Sequence, residues 1–248
     1  MNRVGETKKM NCGEFATIIE YNNCSDIKVE FENGDIVKTQ YSHFKRGRVK
    51  SNLSRTVYGI GFLGNGEFSN KNDEKCYKYW SNMLRRCYDK KTLEKYPTYL
   101  QCGVCEEWHN FQNFAKWFYN NYYEIREETM CLDKDILFKG NKVYSSETCI
   151  FVPKSINSLF VKNNDVRGEY PIGVNYDKRR NKFQASCSII VLQKQQKHIG
   201  YYDTPEEAFY KYKEFKEDYI KKVAEEYKDV IPQNLYNAMY NYVVEITD

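Results

Sequence analysis

The stretch from Gly173 to Ala208 constrains the fold more than any other part of this chain, because it carries signals for three strands and a capped helix in succession. Apolar and polar residues alternate from Lys182 to Val191, which predicts a strand with one buried face. A further strand is predicted over Gln196 to Tyr202. The run Thr204 to Glu207 (TPEE) then has the N-cap hydroxyl, early proline and glutamate of a helix start. The stretch therefore predicts a three-stranded sheet followed by a helix.

An apolar stripe along this predicted helix would cover the inward face of the sheet and leave the outward face free. The stripe consists of Ala208, Tyr212, Phe215, Tyr219 and Val223. The chain has 38 basic and 34 acidic residues, a net charge of only +4, so any nucleic-acid surface must come from local clusters. One such cluster, Lys178, Arg179, Arg180 and Lys182, adjoins the predicted sheet, which favours contact with phosphates over a merely solvated turn.

This segment resembles the ethylene-response-factor (APETALA) DNA-binding domain, whose pattern runs G-V, then K-W/F-x-A-x-I, then L-G-x-F-x-T-x-E-x-A-A. The matching residues are Gly173, Val174, Lys182, Phe183, Ala185, Ile199, Gly200, Tyr202, Thr204, Glu206 and Ala208. The resemblance implies that the outward face of the sheet enters the major groove of double-stranded DNA. Few of the family's arginines and tryptophans stand on this face. The amide side chains of Gln184 and Asn175 are suited to hydrogen bonding with adenine.

The resemblance supplies the predicted DNA-binding residues. Its outward positions are Asn175, Asp177, Lys182, Gln184, Ser186, Ser188, Gln196 and His198. With the basic turn and the neighbouring lysine added, the residues that we predict to bind DNA are Asn175, Lys178, Arg179, Arg180, Lys182, Gln184, Ser186, Lys197 and His198.

Two runs in the middle of the chain resemble the HNH endonucleases of phages and mobile introns. The first is CGVCEEWHNFQNFAKWF from Cys102, and the second is CLDKDILFKGNKVYSSETCIFVPKSINSLF from Cys131 to Phe160. The resemblance implies a β-hairpin and short helix that hold one divalent cation, Mg²⁺ or Mn²⁺. It places Asp133 at the first metal-ligand position and Asn157 at the ligand position on the helix.

The same resemblance places Lys134 at the family's general-base position and Thr148 at the position that orients the base. A lysine, with an ordinary pKa of about 10.4, activates water poorly unless burial or a nearby cation lowers that value. His109 and Asp135 are the alternative bases nearest in sequence, although a regular strand would turn Asp135 away from Lys134. Two interpretations therefore stay open: an active, metal-bound phosphodiesterase, and an inactive HNH scaffold that only binds its partner.

The chain contains nine cysteines, and four of them could form a structural zinc site. These are Cys102, Cys105, Cys131 and Cys149, of which the first two have knuckle-like spacing. The alternative is that they are free, buried thiols. An odd number of cysteines and a start without an apolar signal core predict a reduced, cytoplasmic protein with no membrane partner. The resemblance to phage HNH endonucleases implies that a phage expresses it in a bacterial host.

The N-terminal region predicts a small sheet or barrel. Its predicted strands are residues 17–21, 26–32 and 35–41, with Asn33-Gly34 as the hairpin turn between the last two. A second basic cluster follows, formed by Lys45, Arg46, Arg48 and Lys50, for which a solvated turn and a phosphate contact are both open.

The predicted fold class is α+β. The predicted domains are an N-terminal β unit at residues 1–53, a Gly- and Asn-rich linker at 54–73, an HNH-like ββα unit at 74–165 and an ethylene-response-factor-like unit with C-terminal helices at 166–248. We expect a tethered molecule whose parts are too small for deep cores of their own. The predicted function is DNA binding with metal-dependent nicking or cleavage. The alternative is an inactive HNH-like phage protein that binds DNA or a host protein such as a defence component.

Overall fold

The computed structural model describes residues 3–161, 169–193 and 195–248. The chain contains both helices and strands, with an antiparallel sheet near each end, which confirms the predicted α+β class. It divides into two compact units, Met1–Asn120 with Lys142–Ser146, and Asn121–Asn141 with Glu147–Asp248. Residues 74–165, the predicted ββα domain, therefore contribute to both units.

An antiparallel sheet of four strands begins the first unit. The strands are β1 (Thr7–Lys9), β2 (Phe15–Asn23), β3 (Asp26–Phe31) and β4 (Ile36–Thr39), paired in chain order and followed by α1 (Tyr41–Lys45). Gly34 in the predicted Asn33-Gly34 turn has φ +81°, a backbone conformation that glycine adopts without strain. One face of the sheet packs into a core of Met10, Ala16, Ile18, Ile27, Val29, Phe31, Phe44 and Val49.

Helices make up most of the remainder of the first unit. The elements are α2 (Glu74–Tyr88), α3 (Lys90–Lys95), β5 (Gly103–Val104), α4 (Phe111–Asn121) and β7 (Val143–Tyr144), with short 3-10 turns at Pro97–Tyr99 and Glu106–His109. Strands β5 and β7 pair in parallel. The predicted linker, residues 54–73, is a loop that packs on this helical part, because a side chain at Gly61 would overlap Trp80 and Leu84.

The second unit begins with the predicted hairpin and short helix. Strands β6 (Met130–Asp133) and β8 (Ile150–Pro153) are antiparallel, and Asp133 pairs with Ile150. Helix α5 (Lys154–Asn157) follows β8 directly and packs against both strands. Its Ile156 is fully buried and anchors the helix in the core.

The C-terminal sheet has the predicted three strands and covering helix. The elements are β9 (Val174–Asp177), β10 (Lys182–Ser188), α6 (Ile190–Gln193), β11 (Gln196–Tyr202), α7 (Pro205–Tyr227) and α8 (Gln233–Tyr240), with β10 in the middle of the antiparallel sheet. The Thr204 hydroxyl accepts a hydrogen bond from the Glu207 backbone N–H at 3.2 Å, so α7 starts at the predicted cap. The middle strand is shorter than predicted because α6 begins at Ile190.

A single helix, α7, covers both the sheet and the ββα segment. Its 23 residues extend about 35 Å. The N-terminal half buries Ala208, Phe209 and Tyr212 under the sheet, whereas the C-terminal half buries Ile220 and Val223 in the core that holds the hairpin. The ββα segment and the C-terminal sheet thus pack against a common helix.

Candidate functional site

Asp133, the predicted metal ligand, is the last residue of β6, and its carboxylate closes the turn that follows. Its Oδ1 accepts hydrogen bonds from the backbone N–H groups of Asp135 and Ile136, both at 2.8 Å. Burial, reinforced by the negative charge of Asp135, raises the pKa of Asp133 to about 6, although the two N–H donors act in the opposite direction. The carboxylate is thus held in its charged form at neutral pH against a desolvation cost.

Lys134, at the predicted base position, is buried, with only 8% of its surface exposed. Its Nζ lies 3.4 Å from Asp135 Oδ2, and its carbonyl oxygen accepts a hydrogen bond from Asn141 Nδ2 at 2.7 Å. The expectation that Asp135 turns away from Lys134 is wrong, because β6 ends at Asp133 and the chain then bends. An ammonium group only donates hydrogen bonds, so the ion pair does not present Lys134 as a water-activating base.

Asn157 and Thr148, the other two predicted members of this centre, are both half-buried in the same unit. Asn157 is the last residue of α5, and its carbonyl oxygen accepts a hydrogen bond from the Phe160 N–H at 3.2 Å. Thr148 precedes β8 by two residues, in the segment that leads into the strand paired with Asp133. The structure therefore has a pair of antiparallel strands followed by a short helix, with Asp133 at the end of β6 and Asn157 at the end of α5.

His109 belongs to the first unit and not to the unit that contains Asp133. Its Nε2 lies 3.2 Å from the Val104 carbonyl oxygen, which places the ring hydrogen on Nε2. Its Nδ1 is buried and has no hydrogen-bond partner among the described residues, and burial lowers the pKa of the ring. His109 thus lies within the first unit with a pKa below its ordinary value, and its action as a base at Asp133 stays a prediction.

The four cysteines of the zinc prediction are divided between the two units. Cys102 and Cys105 lie in the first unit, whereas Cys131 and Cys149 lie in the second. Within residues 3–161, 169–193 and 195–248, no group of three or more His, Cys, Asp or Glu side chains is arranged to hold a metal. Burial raises the pKa of the Cys105 thiol.

The predicted Mg²⁺ or Mn²⁺ ion would bind oxygen and not sulfur. The side chains of Asp133 and Asn157 supply the hard oxygen donors that these cations prefer. Mg²⁺ needs only one or two carboxylates, since it keeps several of its waters. The donor type therefore fits the cation that the resemblance implies.

A β-bulge determines which residues of β11 lie on the outward face of the C-terminal sheet. Ala185 pairs with Gly200, but Ser186 pairs with His198, so Ile199 is an extra residue on β11. Because paired residues share a face, the bulge places both His198 and Tyr201 outward, opposite Ser186 and Gln184. The sequence did not lead us to predict Tyr201, although a glycine inside a strand, here Gly200, often marks a bulge.

Four side chains form a connected cluster on this face, which we call the outer-face cluster: Arg180, Gln184, His198 and Tyr201. Gln184 Nε2 lies 3.0 Å from His198 Nδ1. The His198 and Tyr201 rings have centroids 4.7 Å apart, and the Arg180 guanidinium carbon lies 4.6 Å from the Tyr201 ring centroid. The cluster combines an amide that can bond a base edge, a stacked cation and two aromatic rings.

Asp177 fixes the turn that carries Arg180. Its Oδ1 accepts hydrogen bonds from the N–H groups of Arg179 and Arg180 at 2.9 and 3.3 Å, and its Oδ2 lies 3.1 Å from Arg180 Nη1. Despite partial desolvation, these bonds and the positive charge of Arg180 hold the pKa of Asp177 below its ordinary value. Lys182 is likewise paired, with Asp203.

The remaining predicted DNA-binding residues differ in their placement. Lys178, Arg179 and Asn175 are exposed, and Asn175 pairs with Gln184 across β9 and β10. Ser186 is buried and is covered by Gln196, whose Nε2 donates to the Ser186 hydroxyl at 3.1 Å. Lys197 pairs with Cys187, a core residue, so Lys197 starts on the opposite face from Gln184 and does not belong to the outward surface.

Comparison with known proteins gives no family model, no curated relative and no solved structure that matches this chain. Both resemblances accordingly depend on their sequence motifs alone. In the part of the chain that the structure describes, no helix combines the length and hydropathy needed to cross a membrane.

Proposed function

We propose that this protein binds double-stranded DNA through the outward face of β9, β10 and β11. The observation that carries this proposal is the outer-face cluster, in which Arg180, Tyr201, His198 and Gln184 contact one another on the sheet surface. Strands about 4.8 Å apart place the axes of the outer two about 10 Å apart, which suits a major groove about 12 Å wide.

Different residues of this surface would perform different tasks. Asn175 and Gln184 are cross-strand neighbours, so two amides can be presented together, and amides pair best with the N6 and N7 atoms of adenine. Lys178 and Arg179 in the preceding turn would contact phosphates, which contribute affinity but little sequence information. Arg180 is already fixed by Asp177 and Tyr201 and would act at a defined position.

We further propose that the ββα segment cleaves or nicks the bound DNA with one Mg²⁺ or Mn²⁺ ion, held by Asp133 and Asn157. Such a cation, when bound, would stabilise the charge on the phosphate and the leaving oxygen. The support is the buried Asp133 carboxylate, whose Oδ1 accepts both turn hydrogen bonds and which lies beside the carboxylate of Asp135. Helix α7 packs on both the sheet and the hairpin, so a fixed distance would separate the bound duplex from this centre.

A plasmid assay tests the cleavage proposal. Purified full-length protein is incubated with supercoiled plasmid and Mn²⁺, and the experiment is repeated with Asp133→Ala, Asn157→Ala and the control Asp229→Ala, an exposed carboxylate of the same unit. We expect metal-dependent nicking that both site variants abolish and the control retains.

The second candidate function is that of an inactive HNH-like protein that binds DNA or a host protein such as a defence component. The observation that favours it is the ion pair of Lys134 with Asp135 at the position where the family has its base. DNA binding without nicking in Mg²⁺, Mn²⁺, Co²⁺ and Ni²⁺ would support this function over cleavage.

Base recognition is tested by Gln184→Ala in a binding selection from randomised duplexes. We expect the variant to lose its preference at one base position, with discrimination there reduced by about 1–3 kcal/mol. Lys182→Ala should instead weaken binding to all sequences alike. Identical preferences for Gln184→Ala and the unaltered protein would contradict base reading by this face.

A further inference from the structure

We infer that the first unit carries a second phosphate-binding surface, formed by Lys45, Arg46, Arg48 and Lys50, which contacts the backbone of duplex DNA. We call these four residues the basic strip. The proposed function gives the ligand, duplex DNA, and the inference adds a contact from the other unit of the chain. It rests on the exposure, the fixed backbone and the unpaired charge of the strip.

Packing on both sides of the strip turns its cations outward. Phe44 and Val49 are buried in the core of the N-terminal sheet, and Gly47 is buried between them. Lys45, Arg46, Arg48 and Lys50 occupy the remaining positions of this short stretch, and all four are exposed. Four positive charges within six residues therefore share a small area of surface.

The backbone of the strip is held by hydrogen bonds to the turn between β1 and β2 and to α1. The Asn11 N–H donates to the Gly47 carbonyl at 2.8 Å, and the Arg48 N–H donates to the His43 carbonyl at 2.9 Å. Gly47 has φ +67°, and a Cβ atom there would lie 2.7 Å from Asn11 Oδ1, so this close approach requires glycine. The strip is thus an ordered part of the fold, and binding would not have to order its backbone.

The charges of the strip are not neutralised by any carboxylate in the part of the chain that the structure describes. None of the four cations forms an ion pair with a carboxylate of residues 3–161, 169–193 or 195–248. Three other cations of the N-terminal sheet are paired. The pairs are Arg3 with Glu6, Lys28 with Glu20 and Lys38 with Asp26, at N–O distances of 3.2, 2.6 and 3.1 Å.

The composition and length of the strip fit successive phosphates. Two of its four cations are arginines, whose planar guanidinium groups bind phosphate oxygens in pairs. Arg46 to Lys50 would span at most about 14 Å, and duplex DNA carries one charge per strand for about every 3.4 Å of its axis. The strip could therefore face at most about four successive phosphates of one strand. Its purely cationic side chains suit binding that does not read sequence.

The test is the salt dependence of DNA affinity for the full-length protein, measured by fluorescence anisotropy with a short labelled duplex across a KCl series. The variant combines Arg46→Gln, Arg48→Gln and Lys50→Gln. We expect the slope of log K against log salt to become shallower by about 0.9 for each phosphate that the strip no longer neutralises, or by about 2.7 for three phosphates. A matched control combines Lys90→Gln, Lys91→Gln and Lys95→Gln on α3, which changes the net charge of the same unit equally at exposed positions.

The outcomes separate this inference from the proposed function. An unchanged slope for the strip variant, with wild-type binding intact, overturns the inference and leaves the sheet as the DNA-binding surface. An equal flattening by the α3 control also overturns it, because net charge alone would then explain the effect. A third variant, Lys178→Gln with Arg179→Gln, tests the sheet. If this variant binds as the wild type does while the strip variant flattens the slope, the proposed function fails and the strip stands.

Discussion

Two aspartates in the second unit close the same kind of turn but acquire opposite electrostatics. Asp133 and Asp177 each end a four-residue strand, and each Oδ1 accepts hydrogen bonds from the N–H groups two and three residues further on. Asp177 is beside the Arg180 guanidinium, and its pKa is lowered. Asp133 is largely buried beside Asp135, and its pKa is raised to about 6.

The turn alone therefore does not determine the pKa of its aspartate; the neighbouring charge and the burial do. Asp177 is satisfied within the protein, since its negative charge is used to fix Arg180 over Tyr201. Asp133 is charged at neutral pH at a cost that the turn hydrogen bonds do not remove. A cation bound at Asp133 would remove that cost, which is why we place the metal there and the DNA contact at Arg180.

Asp133→Asn should have the greatest effect, because it keeps an acceptor oxygen for the turn but removes the charge. We expect this variant to be more stable than the wild type at pH 7.5, by about 3 kcal/mol. The pKa of Asp133 is raised from 3.8 to about 6 on folding, so the native state binds the proton more tightly. The wild type therefore loses stability as the pH rises through this window, and the gain in the variant should disappear below about pH 4.

Urea unfolding at pH 7.5 and pH 4 measures this difference, and Asp177→Asn is the matched control at the other turn. A lower stability for Asp133→Asn than for the wild type at pH 7.5 would show that the two aspartates are equivalent turn residues.

A smaller effect is expected from Tyr201→Ala, which removes the ring under the Arg180 guanidinium and beside His198. We expect DNA affinity to fall about fivefold to tenfold, corresponding to about 1–1.4 kcal/mol, because Arg180 would lose its defined position. Tyr201→Phe keeps the ring and should bind within about twofold of the wild type. Competition binding with one duplex measures all three proteins, and equal weakening by the two variants would mean that the hydroxyl, not the ring, matters.

The smallest effect on DNA binding is expected from Asp177→Asn. The side-chain oxygen can still accept the two turn hydrogen bonds, but the ion pair with Arg180 is removed. We expect total affinity to change little, since removal of a negative charge near phosphates offsets the freer guanidinium, while discrimination between sequences decreases. The same randomised-duplex selection that tests Gln184→Ala measures this change, and an undiminished preference would show that the pairing of Arg180 has no part in recognition.

The sequence was most informative where a feature depends on neighbouring residues alone. The start of α7 follows from the hydroxyl, proline and glutamate of Thr204 to Glu207, and the N-terminal hairpin follows from Asn33-Gly34. The face of Tyr201 could not be predicted by alternation, because a single extra residue, Ile199, reverses the alternation along β11.

Features that depend on distant packing were missed. The apolar stripe of α7 predicts that the helix is buried but does not say that its two halves cover different elements. The pairing of Lys134 with Asp135 depends on the end of β6 at Asp133, and strand ends are poorly defined by alternating residues. The basic strip was visible as a cluster, but only the structure distinguishes its unpaired cations from Arg180 and Lys182, which are paired with Asp177 and Asp203.

DNA binding by the C-terminal sheet is tested most directly by amide hydrogen–deuterium exchange of the full-length protein with and without a short DNA duplex. We predict slower exchange on DNA binding in the turn at residues 178–181 and along β9 and β11, whose amides lie at or near the proposed contact. We predict no comparable change in α8, which packs against α7 and is not part of the sheet. Protection elsewhere in the chain, with none in the turn or the sheet, would refute DNA binding by this surface.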